Sequence, residues 1–263
     1  MIIVKIGGGA GINIQGAVSD LAEINEPVIV VHGANAVRDR LAEDLNVDKK
    51  TVMSVSGYSS VLSDEKIIDL QMMAYAGLRN KRIVELCQRA GVNAVGLSGL
   101  DGRVIQGRRN KGIRVRENGK LKIVRDFSGK PFDVNETFLN LLLRNGYTPV
   151  LCVPIVDENG YAINSENDDI VTVLQNRLHA DKIVQLIEAP GFLDNKDDPD
   201  SLVRAITRTE LVRREEQVEG RMKRKMLALR KLFDEGAGTV YIGDGRTEHP
   251  IRDALEGKGT VIQ

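Results

Sequence analysis

Two cysteines in 263 residues, Cys87 and Cys152, are too few and too isolated for a disulfide framework or a CxxC metal site, as expected for a reducing compartment. Both are expected in the core. Neither sign of charge is in excess: 37 Lys and Arg balance 37 Asp and Glu, so no whole-molecule field favours nucleic acid or a membrane surface. Any electrostatic partner must be met locally. No apolar run approaches the roughly 18 residues that cross a bilayer, and no signal-peptide stretch opens the chain, so a cytoplasmic protein without membrane contact is expected. Two nucleotide fingerprints are missing as well. A GxGxxG loop beginning at Gly7 requires glycine at position 12, which is Ile12, and this removes most of the support for dinucleotide chemistry. A Walker A loop fails at both ends, because Gly129-Lys130 is followed by Pro131 and the leading glycine position holds Val124.

With 42% apolar residues the chain can bury a sizeable core, and its apolar runs of strand length alternate with stretches of helical period. This is the βαβ pattern. It predicts an α/β fold with an open, mainly parallel sheet sandwiched by helices, with strands at 2–6, 28–31, 94–97, 148–153, 183–187 and 239–242. Helices are expected over 37–45, 64–90, 136–145, 168–178 and 222–233. Residues 113–124 differ, alternating around Glu117-Asn118-Gly119 as a hairpin does, and a second hairpin is expected to turn at Asp157-Glu158-Asn159-Gly160. The acidic stretch 194–200 has neither the loop glycine nor the terminal glutamate of an EF-hand and reads as a surface loop.

The residues suited to chemistry stand apart in sequence, each at a strand end or a helix start. Lys5 in the first strand is followed at once by Gly7-Gly8-Gly9, where the chain can turn sharply and aim N–H groups at an anion. His32-Gly33-Ala34-Asn35 lies between a strand and a helix, and free N–H groups there can also hold an anion. Asn164 and Asp168 flank a helix start, where capping alone would explain them. Lys225 lies in a basic helix that could equally be a solvated face. Open α/β sheets bind ligands at the carboxyl ends of their strands, so these four elements are expected to converge there.

Taken together, VKIGGG, VVHGAN, MAYAGLRNKRIVEL, AVGLSGLDGRVIQGRR, AINSENDDI, EGRMKRK and GDGRTEHPI resemble the amino acid kinase family from end to end, in particular its acetylglutamate kinase branch. Within that branch the chain is similar to kinases acting on aminoadipate or glutamate held by LysW, a small acidic amino-group carrier protein of lysine and arginine biosynthesis. The resemblance implies a carbamate kinase-like sheet with two lobes, an acceptor lobe over 1–178 and an ATP lobe over 179–263. It implies transfer of phosphoryl from ATP, with Mg²⁺, to a side-chain carboxylate. Free N-acetylglutamate is the alternative acceptor, and a non-catalytic nucleotide- or amino-acid-binding regulator is the alternative class. By motif, Lys5 and Lys225 would stabilise the transferring phosphoryl group and Asp168 would orient them. Gly33, Ala34, Asn35, Val61 and Asn164 would meet the acceptor. Gly7, Gly8 and Gly9 would cradle phosphate, and Glu188, Ala189, Pro190, Gly191, Phe192 and Leu193 would meet the nucleotide. A homodimer is implied, and no metal held by protein groups alone.

Two positions depart from the family pattern. Val61 stands where relatives place an arginine that pairs with the acceptor's α-carboxylate, and a valine cannot replace a bidentate clamp. Either another cation substitutes, with Arg38 and Arg108 as candidates, or the acceptor differs from acetylglutamate and aminoadipate. Ala34-Asn35 replaces a glycine pair, and its side chains are expected to narrow the approach of that loop to ligand. Residues 103–125 carry nine basic residues against the single acid Glu117, a basic hairpin suited to an acidic partner such as the carrier. RNA is disfavoured, because Phe127 is the only aromatic nearby for stacking.

Overall fold

The computed structural model describes the chain from Met1 to Gln263 except residues 54–58, 118–119, 196, 218–219 and 235, and describes no side chains at 53, 59–60, 117, 199, 217 and 220–225. Five parallel strands form the middle of an 11-stranded sheet, in the spatial order Thr239–Asp244, Lys182–Ile187, Ile2–Ile6, Val28–His32 and Thr148–Val156. Their sequences, IIVKI and VIVVH among them, are apolar at nearly every position because both faces are covered. Alternate residues serve opposite faces. Ile2, Val4 and Ile6 pack with Val18, Leu21, Ile83 and Ile251, whereas Ile3 and Val31 pack with Val171, Leu174, Leu229 and Phe233.

The margins of the sheet are mixed. Thr260–Ile262 runs antiparallel beside Thr239–Asp244, with Ala205–Ile206 beyond it. At the other margin Thr148–Val156 pairs with Ala94–Gly99 over its first half, then meets Ile105–Arg109, which pairs antiparallel with Gly129–Val134. The open, mainly parallel sheet and all six predicted strands are present. Ile2–Ile6 pairs directly with Lys182–Ile187, so the two expected lobes share one sheet.

Two features differ from the sequence expectation. The helix expected over 64–90 begins as Glu65–Gln71, capped by the Asp64 carboxylate accepting from Ile67 N–H, but becomes π-helical over Met72–Arg79 before resuming as Asn80–Arg89. A π segment adds residues per turn, so no 3.6 period can reveal it. The basic hairpin is shorter than residues 103–125. Its strands are Ile113–Glu117 and Lys120–Val124, a separate two-stranded ribbon, while Ile105–Arg109 belongs to the main sheet. Its expected turn at Asn118-Gly119 lies outside the described residues. The 157–160 turn is present, joining Thr148–Val156 to Ala162–Ile163, with Gly160 at φ 89°. Cys87 and Cys152 are buried thiols, and burial raises their pKa values to about 11 and about 12.

Candidate active site at the carboxyl ends of the central strands

Register brings the strand ends to one level. Ile6 lies beside both His32 and Leu186, and Leu186 lies beside Gly243. Hydrogen bonds continue the ladder beyond the strands, from Gly7 N–H to Leu186 O at 3.0 Å, Gly33 N–H to Ile6 O at 2.9 Å and Gly245 N–H to Ile187 O at 2.7 Å. The turns after these strands therefore emerge side by side, at the edge where open α/β sheets hold ligands.

The first two turns touch backbone to backbone. A Cβ built on Gly8 would lie 2.8 Å from Ala34 N and Asn35 N, and one on Gly33 would lie 2.8 Å from Gly8 N and Cα. Only glycine permits that approach. Ala36 N–H donates to Gly8 O at 2.9 Å and completes the join. Gly9 is overlain by Glu188, whose carboxylate accepts from Gly11 N–H at 2.6 Å and occupies the space a Cβ on Gly9 would need. The convergence expected of Gly7–Gly9 and Gly33–Asn35 is present.

Lys5 alternates with Val4 and Ile6 and so points to the face covered by the helix Asn167–Leu178, whose first turn carries Asp168 and Asp169. A half-buried ammonium on a central strand needs a counter-charge, and Lys5 Nζ is ion-paired with Asp168 Oδ1. Asp168 is 33% exposed and so remains within reach of ligand. The helix dipole favours both aspartates where they stand.

A cleft with about 820 Å³ of empty space, part of it open to solvent, starts at Lys5 and Asp168 and runs over Gln185, Ile187, Ala189, Gly191, Phe192, Leu193, Met226, Ala228, Leu229 and Ile242. Such an apolar slot with a charged end suits a ligand with a flat apolar body and a polyanionic tail. Of the expected nucleotide residues, Ala189, Gly191, Phe192 and Leu193 line it, and Glu188 and Pro190 do not. The side chain of Lys225 lies outside the described residues; its helix is Gly220–Asp234, and its neighbour Met226 lines the cleft. Among the described residues no group of three or more His, Cys, Asp or Glu could hold a metal ion.

The acceptor residues are arranged differently from the expectation. Ala34 is fully buried and packs with Val31, Ala74 and Tyr75, so its methyl group fills core space and does not narrow the loop. Asn35 is held by the Tyr75 hydroxyl, which donates to its Oδ1. Val61 packs with Ile67, Leu70 and Ala42 in a small apolar cluster of its own. Of the suggested substitutes, Arg38 is ion-paired with Asp39 at 2.9 Å, and Arg108 is exposed and lies over the Phe132 ring at 5.0 Å. Asn164 donates from Nδ2 to Ser63 Oγ at 3.2 Å, and the buried Asp126 fastens this corner by accepting from Ser63 N–H and Ser128 N–H.

Several participants were missed in the sequence. Asn167 places its Nδ2 beside Gly33, and its Oδ1 and the Ser165 Oγ are buried with no hydrogen-bond partner. Unbonded buried polar atoms between Asn164 and Asp168 mark a place for a polar ligand. His32 is buried, bonded through Nδ1 to Gly33 O and through Nε2 to Asn80, and burial lowers its pKa to about 4. It is a neutral structural ring. All had a signal of a kind, since His32 lies in VVHGAN, Ser165 and Asn167 in AINSENDDI, and Tyr75 and Asn80 in MAYAGLRNKRIVEL, but nothing in those stretches singled them out.

An amino acid kinase family model matches residues 1–244. The chain is 40% identical over 270 residues to a LysW-aminoadipate kinase of Thermus thermophilus, covering all of both chains. It is 41% identical over 266 residues to a LysW-aminoadipate kinase of Deinococcus radiodurans, covering all of this chain and 91% of that protein. A carbamate kinase structure from Giardia superposes with a TM-score of 0.69 at 16% identity, covering 99% of this chain and 97% of that one, which supports the fold. By sequence and by architecture, the chain belongs to the amino acid kinase family.

Proposed function

We propose that this protein transfers the γ-phosphoryl group of ATP to the side-chain carboxylate of aminoadipate or glutamate held on a small acidic carrier protein, giving an acyl phosphate and ADP. The observation that carries the reading is the Lys5–Asp168 pair at the head of the apolar cleft, beside two backbone loops in contact. A carboxylate oxygen attacks the γ-phosphorus while the bond to the β,γ-bridging oxygen breaks. An acceptor carboxylate with a pKa of about 4.3 is already ionised at neutral pH, so no general base is needed and Asp168 serves as an organiser. What must be overcome is repulsion between two anions, and Lys5 with Lys225 would reduce it. Mg²⁺ takes most of its ligands from phosphates and water, so it would arrive with ATP and need at most one or two carboxylates here.

In this reading residues 1–178 hold the acceptor and residues 179–263 the nucleotide. The carrier would dock on the ribbon of residues 113–124, where Arg114 lies across from Ile123 and Arg116 across from Leu121. Directly opposed residues share a face, and this one is exposed, with Leu121 60% and Ile123 64% accessible. A basic and apolar face suits an acidic partner that also buries carbon surface.

A hydroxamate trap tests the reaction. Acyl phosphate should form with ATP and carrier-linked aminoadipate or glutamate, and not with free N-acetylglutamate. Turnover with N-acetylglutamate alone would move the acceptor to the free amino acid, and no turnover with any acceptor would leave a nucleotide-binding regulator.

A further inference from the structure

Among the described residues, Arg79 is the basic side chain whose buried donors have nothing to bond: its Nε and Nη2 are covered and unpartnered. Burial also holds its pKa below the ordinary arginine value. A guanidinium in that state has given up water without receiving an acceptor in return, and an arriving anion would restore what was lost.

Its place in the fold says which anion. Arg79 closes the π-helical segment Met72–Arg79, which packs against the helix Asn35–Asp44 and the strand Thr148–Val156. One turn earlier Tyr75 grips Asn35, and the next residue, Asn80, bonds the His32 ring and Val150 O. The charge of Arg79 acts on His32, whose ring in turn bonds Gly33 O. The unpaired guanidinium therefore belongs to the segment that, through Tyr75 and Asn80, holds Asn35 and His32 on either side of Gly33. Val61 lies in an apolar cluster, Arg38 is paired with Asp39, and Arg108 is an exposed side chain stacked on Phe132 at the sheet margin. An amino acid joined to a carrier through its amine still presents a free α-carboxylate beside the one that reacts.

We propose that Arg79 binds this non-reacting carboxylate of the acceptor and is the cation that compensates for valine at position 61. The assignment rests on the acceptor chemistry proposed above. Its planar fork can take a carboxylate through two parallel N–H donors, fixing the distance from that group to the reacting one.

The test uses full-length Arg79→Met and Arg79→Lys with three readouts. In ligand-free protein Arg79→Met should melt at the same temperature as wild type or higher, because an unpaired buried charge is removed. The KM for carrier-linked acceptor should rise about 10- to 100-fold with the KM for ATP unchanged, as expected for loss of charge-assisted hydrogen bonds, and lysine should recover part of the loss. Glutarate, a plain dicarboxylate, should bind wild type and not Arg79→Met by calorimetry. Equal glutarate binding or an unchanged acceptor KM would overturn the proposal. So would a smaller solution mass for Arg79→Met, since the guanidinium would then serve a second copy of the chain. Should wild type form no acyl phosphate, the proposed reaction fails by itself, and differential glutarate binding still decides the role of Arg79.

Discussion

Replacing Gly8 by alanine tests the join between the two loops more sharply than any change at a charged residue. The new Cβ would stand 2.8 Å from Ala34 N and Asn35 N and 3.0 Å from Gly33 C. All three are backbone atoms, so no rotamer change relieves the clash. The loops, tied by Gly33 N–H to Ile6 O and Ala36 N–H to Gly8 O, must part by roughly half an ångström to reach ordinary contact. Overpacking of this kind costs about 1–3 kcal/mol. For a chain of this size that lowers Tm by about 2–12 °C. In the proposed reaction, displacement of this loop backbone should also lower kcat/KM about 10- to 100-fold. Differential scanning calorimetry and the hydroxamate assay read the two effects. Gly77→Ala is the control: its nearest neighbour is Met72 O at 3.5 Å on an exposed helical turn, so it should gain about 0.4–1 kcal/mol and keep full turnover. If Gly8→Ala matches wild type in Tm and in turnover within twofold, the loops do not meet as described. If Gly77→Ala loses as much, the effect is not specific to the join.

Asp168→Asn removes the counter-charge of a Lys5 side chain that is only 14% exposed, and should cost about 1–2 kcal/mol, discounted because Asp168 is partly solvated. Its kcat should fall about 100-fold with the KM for ATP little changed, and an unchanged kcat rejects the organiser role. His32 titrates near pH 4 in the fold and near 6.5 in the unfolded chain, so between those values the unfolded state takes a proton that the native ring refuses. Stability contributed by the neutral ring is complete above pH 6.5 and falls by up to about 3 kcal/mol as pH drops toward 4. Urea midpoints at pH 5 and pH 7 should show this loss in wild type and much less of it in His32→Gln; equal slopes would place the ring in solvent. Reversing Lys111, Arg114 and Arg116 to glutamate should slow carrier association about 10- to 100-fold at low salt and leave ATP binding alone, and an unchanged rate excludes the ribbon as the docking face.

Legibility followed burial. Ile2–Ile6, Val28–His32 and Lys182–Ile187 could be read because strands covered on both faces need apolar side chains at nearly every position. Ile105–Arg109 and Gly129–Val134 could not, since these marginal strands carry Arg108, Arg109 and Lys130 and blend into the basic stretch beside them. Ile14–Leu21 was missed too, although Asn13 caps it by accepting from Gly16 N–H, because the helix follows the glycine turn directly. The side of the site expected to meet phosphate was legible for a local reason: a lysine and three glycines are adjacent in sequence. On the acceptor side Asn35 meets Tyr75, 40 residues away, and Asn164 meets Ser63, 101 residues away. Such pairs exist only once the chain has folded.

The same contrast bears on how specificity is divided from chemistry. Lys5, the glycine turns and Asp168 are fixed by the central strands and by one helix start, where a shift of register would move every side chain to the opposite face. The acceptor corner hangs on side chains from the π-helical segment, the strap at residues 61–64 and the turn at residues 126–128, and Asp126 fastens the last two to each other. Changes there can exchange one cation for another without disturbing the sheet. In the proposed assignment, Val61 absorbed into an apolar cluster and Arg79 left unpaired are two halves of one exchange. The end proposed to transfer phosphoryl has no comparable freedom, because its closest contacts are between backbone atoms.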